Sequence, residues 1–332
     1  MTFTDTEKLK RLDDTIQLNY RFTHMQAQYL EYYPELITKD MVEEIREGTD
    51  ITEKEAVVAI LSGAFALTDS ENEDDRLLAR KYLARSVRIL DTKKYTDDPY
   101  YQNVAPPAVK DGDWEIRWET YPAYRAAICD EMITDADHTE IAPLGFFNDD
   151  FTFPAVLEGG NEWMTLTPID VDTVQGAIRD AHGKVITFGL GLGYYTYMVG
   201  RKDEVTSVTV VEKSEKVIEL FNKYILPRFE CKDKIRIIKA DAFEYAEEQM
   251  PSEEYDYAFV DTWRDASDGL PMYEKMKKLE HLSAKTVFSY WIESFILSRK
   301  RAQKYEILKE KVDTGAHDAP KSYVNFIEEL YK

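Results

Sequence analysis

Three glycines at alternate positions, Gly189, Gly191 and Gly193, directly follow the apolar, β-branched run Val185, Ile186, Thr187, Phe188. A short run of that kind predicts a buried strand, and glycines at that spacing predict a tight turn where a ligand meets backbone without meeting a Cβ. Few other arrangements satisfy both demands. The chain is therefore read as placing a ligand-binding loop at the tip of a strand.

The residues downstream repeat the theme. An apolar run over 207–211 ends at Glu212, a third over 234–239 ends at Ala240 and Asp241, a fourth over 255–260 ends at Asp261, and a fifth covers 285–291. The stretches between them have helical length, so the pattern predicts βα repeats of a parallel sheet, a Rossmann-like doubly wound α/β fold. Ligands of such sheets bind beyond the carboxyl ends of the strands, and an acid closing the second strand is placed to accept from ribose hydroxyls.

Residues 185–291, about a third of the chain, resemble the class I S-adenosylmethionine-dependent methyltransferases. The resemblance implies S-adenosylmethionine as cofactor, with Gly189, Leu190, Gly191 and Gly193 forming its loop. It implies Glu212 and Lys213 at the ribose, Asp241, Ala242 and Phe243 around the adenine, and Asp261 facing the reacting methyl group as a catalytic carboxylate. Tyr194, Tyr195 and Trp263 are expected as an aromatic wall around the cationic sulfonium. Two positions depart from the family pattern: Thr187 stands where an acid is usual, and Asp261-Thr262-Trp263-Arg264 replaces the Asn/Asp-Pro-Pro-aromatic signature of amino-group methylation. Asp241 through Glu244 and the stretch 255–261 also resemble spermidine synthases, although Leu190-Gly191-Leu192-Gly193 replaces that family's Gly-Gly-acid-Gly.

Three functions follow from these likenesses. The first is methyl transfer to a small molecule or protein; the second is aminopropyl transfer; the third is a nicotinamide-dependent dehydrogenase, or a cofactor-binding module without turnover. A nicotinamide dehydrogenase ranks last, because Tyr194 or Thr196 stands where the dinucleotide fingerprint wants Gly or Ala.

Composition narrows the partners. The 332 residues carry a formal charge of −21, which repels phosphate backbones and argues against a nucleic-acid substrate. Hydrophobic residues at 44% and aromatics at 13% exclude a disordered chain. Cys129 and Cys231 lack metal-ligand or redox spacing, the five histidines show no paired spacing, and no apolar run reaches membrane-spanning length. A cytoplasmic protein without a metal is expected.

Three regions are expected: a helical N-terminal domain over 1–110, a connecting segment with a hairpin and an entry helix over 111–182, and the cofactor-binding domain over 183–332. In the first, Leu9, Leu12, Ile16 and Tyr20 share one helix face, Thr52 and Glu55 make a capping box, and residues 77–90 read as a further helix; the acidic run 69–75 reads as a solvated helix start. Residues 92–113 read as a connector. Trp114 to Trp118 fits a strand or a helix onset. The Gly159-Gly160 turn predicts a hairpin, and Asp172 is a candidate N-cap for a helix over 168–181. Trp163, Thr165 and Thr167 are candidates to touch the cofactor. A long charged helix over 292–312, a loop and an end segment 323–331 complete the reading.

Overall fold

The structure, a computed structural model, describes residues 3–68 and 70–313. Asp69, the loop after residue 313 and the end segment 323–331 lie outside the described residues. The chain divides into two compact units. One comprises 1–89, 124–146 and 297–332, and the other 90–123 and 147–296.

The second unit is built on a parallel sheet whose strands are the expected apolar runs. Preceding it in the chain is a four-stranded antiparallel sheet of β1 (Val109–Asp111), β2 (Trp114–Tyr121), β3 (Phe151–Glu158) and β4 (Asn161–Thr165). The five parallel strands are β5 (Gly183–Phe188), β6 (Val205–Glu212), β7 (Ile235–Lys239), β8 (Tyr257–Val260) and β9 (Val287–Tyr290). Their order is β7-β6-β5-β8-β9. The chain thus winds outward from the glycine strand in both directions, as a doubly wound sheet does.

Both faces of the central strands are covered, so β5 and β8 read as continuous apolar runs. Val185, Ile186 and Phe188 are fully buried, as are Ala258 and Val260. Register then aligns the tips. Phe188 pairs with Val211 and with Val260, and Val260 pairs with Tyr290. The next residue of each strand, Gly189, Glu212, Asp261 and Trp291, accordingly emerges on one rim. The ladder runs just past that line, with Gly189 N donating to Val211 O at 2.9 Å and Asp261 N to Phe188 O at 2.9 Å.

The Gly159-Gly160 hairpin is present, and Trp114 opens a strand that pairs with β3 along its whole length. Cross-strand pairing, invisible in a single segment, decided the ambiguity at Trp114. Residues 168–181 form two short helices, Pro168–Asp172 and Gln175–Asp180, in place of one. Their cap is also different from the expectation. Thr167 and Asp170 make a capping box with Pro168 at the first position, while Asp172 accepts from Tyr95 Oη at 2.7 Å. The connector 92–113 holds two short helices, Thr92–Thr96 and Pro99–Asn103.

In the first unit a helix runs over Phe3–Tyr32 and another over Glu53–Ala64, the latter with the Thr52/Glu55 capping box. Leu12 is buried with Tyr305 and Leu308, and Ile16 and Tyr20 pack on the same cluster. The side chain of Leu9 lies outside the described residues. Asn72 caps Glu73–Leu77, as a solvated acidic start should. Residues 77–90 are not one helix. A π-helix over Leu78–Leu83 and a short turn give way to a strand, Val87–Leu90, which joins Leu144–Phe147 and Ala127–Ile128 in a small sheet. The i, i+3 spacing of Val87 and Leu90 suits a helix, and pairing with a distant strand overrode it. The long charged helix is Glu293–Asp313. Among the described residues no helix is long and apolar enough to cross a membrane.

Candidate functional site

The glycine loop leaves β5 with all three glycines at positive φ: 99° at Gly189, 54° at Gly191 and 78° at Gly193. Each is glycine for a separate reason. A Cβ on Gly189 would stand 1.9 Å from the backbone oxygen of Asp261, so β5 and β8 can approach at their tips only without one. A Cβ on Gly193 would meet the Phe221 ring at 2.4 Å. At Gly191 the nearest atom to such a Cβ is Met164 Sδ, at 4.0 Å. Gly189 and Gly193 thus serve packing, and Gly191 alone presents open backbone. Gly193 also caps the helix Tyr194–Gly200.

Glu212, at the tip of β6, reaches back to this loop. Its Oε2 accepts from Leu190 N at 3.2 Å and its Oε1 from Ser214 N at 2.7 Å. A carboxylate has about four lone-pair sites, so both oxygens keep capacity for further donors such as hydroxyls. Asp241, after β7, caps the helix Ala242–Glu248 by accepting from Phe243 N at 2.9 Å and Glu244 N at 3.3 Å. Burial pushes its carboxyl up, but the ion pair with Lys213 at 3.2 Å and those two N–H groups outweigh it, and the net direction is down. Asp241 is therefore charged. Lys213 is otherwise solvent-exposed, and Lys275 Nζ lies 4.2 Å from the centre of the Phe243 ring.

Asp261 is the electrostatic outlier. Among the described residues no donor is hydrogen-bonded to its carboxyl, and its charged neighbours are Asp170 and Glu212, both acids. Part of the residue still reaches solvent, but protein surrounds the carboxyl closely. Burial, then the charges of Asp170 and Glu212, push its pKa up to about 8. Asp170 moves the same way, to about 6, through burial that outweighs the Thr167 hydrogen bonds it accepts at 2.8 and 2.7 Å. At neutral pH the free protein holds a proton on Asp261. A cation placed beside it would draw that proton off.

The aromatic residues are turned elsewhere. Tyr195 is buried and stacks on Phe259 at 4.2 Å, on the body of the sheet. Trp263 packs over Gly269, stacks with Tyr290 at 6.3 Å, and is only 6% exposed. Tyr194 donates to Asp98 at 3.0 Å. Trp163, 44% exposed, leans on Trp114 at 5.2 Å, while its neighbour Met164 is the residue nearest Gly191. The sheet thus collects Gly189, Gly191, Glu212, Asp241 and Asp261 at one rim and commits the three aromatics to packing.

Three contributors were missed in the sequence: Met164, Asp170 and the turn at Asp98. Asp170 had a signal, since Thr167-Pro168-Ile169-Asp170 is a capping-box pattern. Asp98-Pro99 had one too, a cap residue followed by proline at the first helical position. Neither pattern says what the helix start packs against. Among the described residues no group of three or more His, Cys, Asp or Glu is arranged to hold a metal.

No protein-family model matches the chain, and no curated protein matches it. Among solved structures, a spermidine synthase in complex with the transition-state analogue AdoDATO aligns at 19% identity and a TM-score of 0.26, over 38% of this chain and 49% of its own. The spermidine synthase of Thermotoga maritima aligns at 16% and 0.26, over 46% and 53%. MnmC2 from Aquifex aeolicus aligns at 11% and 0.25, over 67% and 70%. The chain spans about half the length of the two spermidine synthases it is similar to. Likeness this distant carries no argument about fold or function.

Proposed function

We propose that this chain is an S-adenosylmethionine-dependent methyltransferase acting on a small molecule or protein. The observation that carries the reading is the common rim, where the open backbone of Gly191, the carboxylates of Glu212 and Asp241, and the proton-loaded Asp261 emerge from adjacent strands. The loop of Gly189, Leu190, Gly191 and Gly193 would hold the methionine part, Glu212 with Lys213 the ribose, and Asp241, Ala242 and Phe243 the adenine. The cofactor, when bound, supplies a methyl carbon activated by a positive sulfur. The rim fits that group in two ways: Gly191 exposes backbone that carries no Cβ, and the carboxyls around Asp261 favour positive charge.

The chain's own residues have two tasks. The first is to bring acceptor and methyl together, since alignment of that kind is worth several kcal/mol in a displacement. The second is to handle the acceptor's proton. Asp261 begins protonated near pH 7 and becomes a base, or a carboxylate that orients the acceptor, once positive charge at the rim lowers its pKa.

Aminopropyl transfer is the second reading, and one observation favours it. The charged neighbours of Asp261 are carboxylates, and no cation stands among them to pair with the carboxylate of intact methionine. A decarboxylated donor would suit such surroundings.

Calorimetry with S-adenosylmethionine, its decarboxylated form and NAD separates the readings. Heat with the first supports methyl transfer, heat with only the second supports aminopropyl transfer, and heat with only NAD overturns both.

A further inference from the structure

The helix Pro99–Asn103 is five residues long, yet three side chains at its start are tied to three walls of the glycine-loop mouth. Asp98 starts it, its Oδ1 accepting from Tyr100 N at 2.8 Å. The other oxygen of the same carboxylate accepts from Tyr194 Oη at 3.0 Å, on the first residue after Gly193. Tyr100 Oη donates to the carbonyl of Leu192, inside the loop itself. Tyr101 Oη donates at 3.0 Å to the carbonyl of Leu166, between β4 and the Thr167 cap.

These ties are held rigidly. Tyr100 is fully buried and lies edge-on to Tyr194 at 5.6 Å and to Tyr197 at 5.8 Å, while Tyr101 is 8% exposed. Leu192 directly follows Gly191, and Leu166 lies two residues after Met164, whose Sδ would stand 4.0 Å from a Cβ on Gly191. A loop with three residues at positive φ has little stiffness of its own, so its shape depends on what grips its carbonyls.

We infer that Tyr100 and Tyr101, anchored by Asp98, are positioning residues that clamp the loop at Leu192 and the strand end at Leu166, and so fix how Gly191 and Met164 sit against each other at the loop. Removing either hydroxyl leaves the aromatic packing in place and releases one jaw. The inference rests on the loop being the cofactor site, but the clamp can be read without a ligand.

The test uses the full chain and three variants. Tyr100→Phe and Tyr101→Phe each remove one clamp bond. Tyr95→Phe removes a part-buried bond of the same unit, from a tyrosine as buried as Tyr100, Tyr95 Oη to Asp172 Oδ2 at 2.7 Å, that does not touch the loop. Hydrogen exchange is followed at peptides covering the loop residues 189–193 together with the strand end 164–168 and, as reference, β6 and β7. S-adenosylhomocysteine binding is followed by calorimetry. Each clamp variant should speed loop exchange and weaken binding about tenfold, the scale of one lost hydrogen bond, with β6 and β7 unchanged and Tyr95→Phe like wild type. Wild-type loop exchange in both clamp variants overturns the inference. So does an equal loss in Tyr95→Phe, which would mean that general destabilisation suffices. If the wild-type chain binds no S-adenosylhomocysteine, the methyltransferase reading fails, and loop exchange alone decides the clamp.

Discussion

The two ends of the parallel sheet are made from the same residue types and use them in opposite ways. At the amino-terminal end Gly183 abuts Asp256, and at the carboxyl-terminal end Gly189 abuts Asp261. Asp256 accepts from Lys184 N at 2.7 Å, Lys202 Nζ donates to the carbonyls of Ile178, Arg179 and Ala181 at 2.7 Å each, and Lys234 Nζ donates to Lys202 O and Val205 O at 2.9 and 2.8 Å. Donors and acceptors there consume one another. At the other end no donor among the described residues is hydrogen-bonded to the Asp261 carboxyl, and its charged neighbours are acids. A closed ledger of hydrogen bonds marks a structural end, and a surplus of acceptors marks an end prepared for something cationic.

The largest effect expected of that contrast is on backbone packing. Gly189→Ala would press a methyl against a main-chain oxygen and should cost about 3 kcal/mol or more. Gly183→Ala meets only the Asp256 side chain, 2.0 Å away, which can turn at the loss of its bond from Lys184 N, and should cost roughly half as much. Urea midpoints compare the two, and equal losses would break the distinction between fixed and yielding neighbours.

Next comes pH. The unfolded chain gives up the Asp261 proton near the ordinary value of 3.8, whereas the folded chain keeps it to about 8. The folded state therefore binds the extra proton in that window, and stability falls as pH rises by up to about 1.4 kcal/mol per unit. Asp170 adds a decline of the same sign up to about pH 6. Asp261→Asn should flatten the profile between pH 6 and 8. A slope that survives Asp261→Asn would assign it to another group.

Glu212→Ala should weaken S-adenosylmethionine binding by about 1.5–3 kcal/mol in calorimetry, the scale of a lost charged hydrogen bond. Lys202→Met, at the closed end, should lower the melting temperature and leave that affinity alone. The smallest stability change is expected at Gly191→Ala, about 1–2 kcal/mol for a left-handed residue whose added methyl meets only Met164 Sδ, at an ordinary contact of 4.0 Å. Binding should suffer there far more than folding, and unchanged binding would remove the loop from the site.

The amino-acid order by itself determined the parallel sheet, the glycine loop and the acids closing its strands. A buried parallel strand must be a continuous apolar run, and a positive-φ turn must be glycine, so both leave local signatures. The hairpin at Gly159 and the capping box at Thr52 were legible on the same ground. What only the tertiary structure decided depends on partners distant in sequence. The strand at Val87 needed Leu144–Phe147, the charge of Asp261 needed Asp170 some ninety positions earlier, and Tyr100 grips Leu192. Tyr195 and Trp263, expected at the ligand, instead found Phe259 and Tyr290. Short-range rules fix which backbone shapes a segment allows, whereas burial, pKa and the facing of a side chain are sums over neighbours that the fold alone brings near.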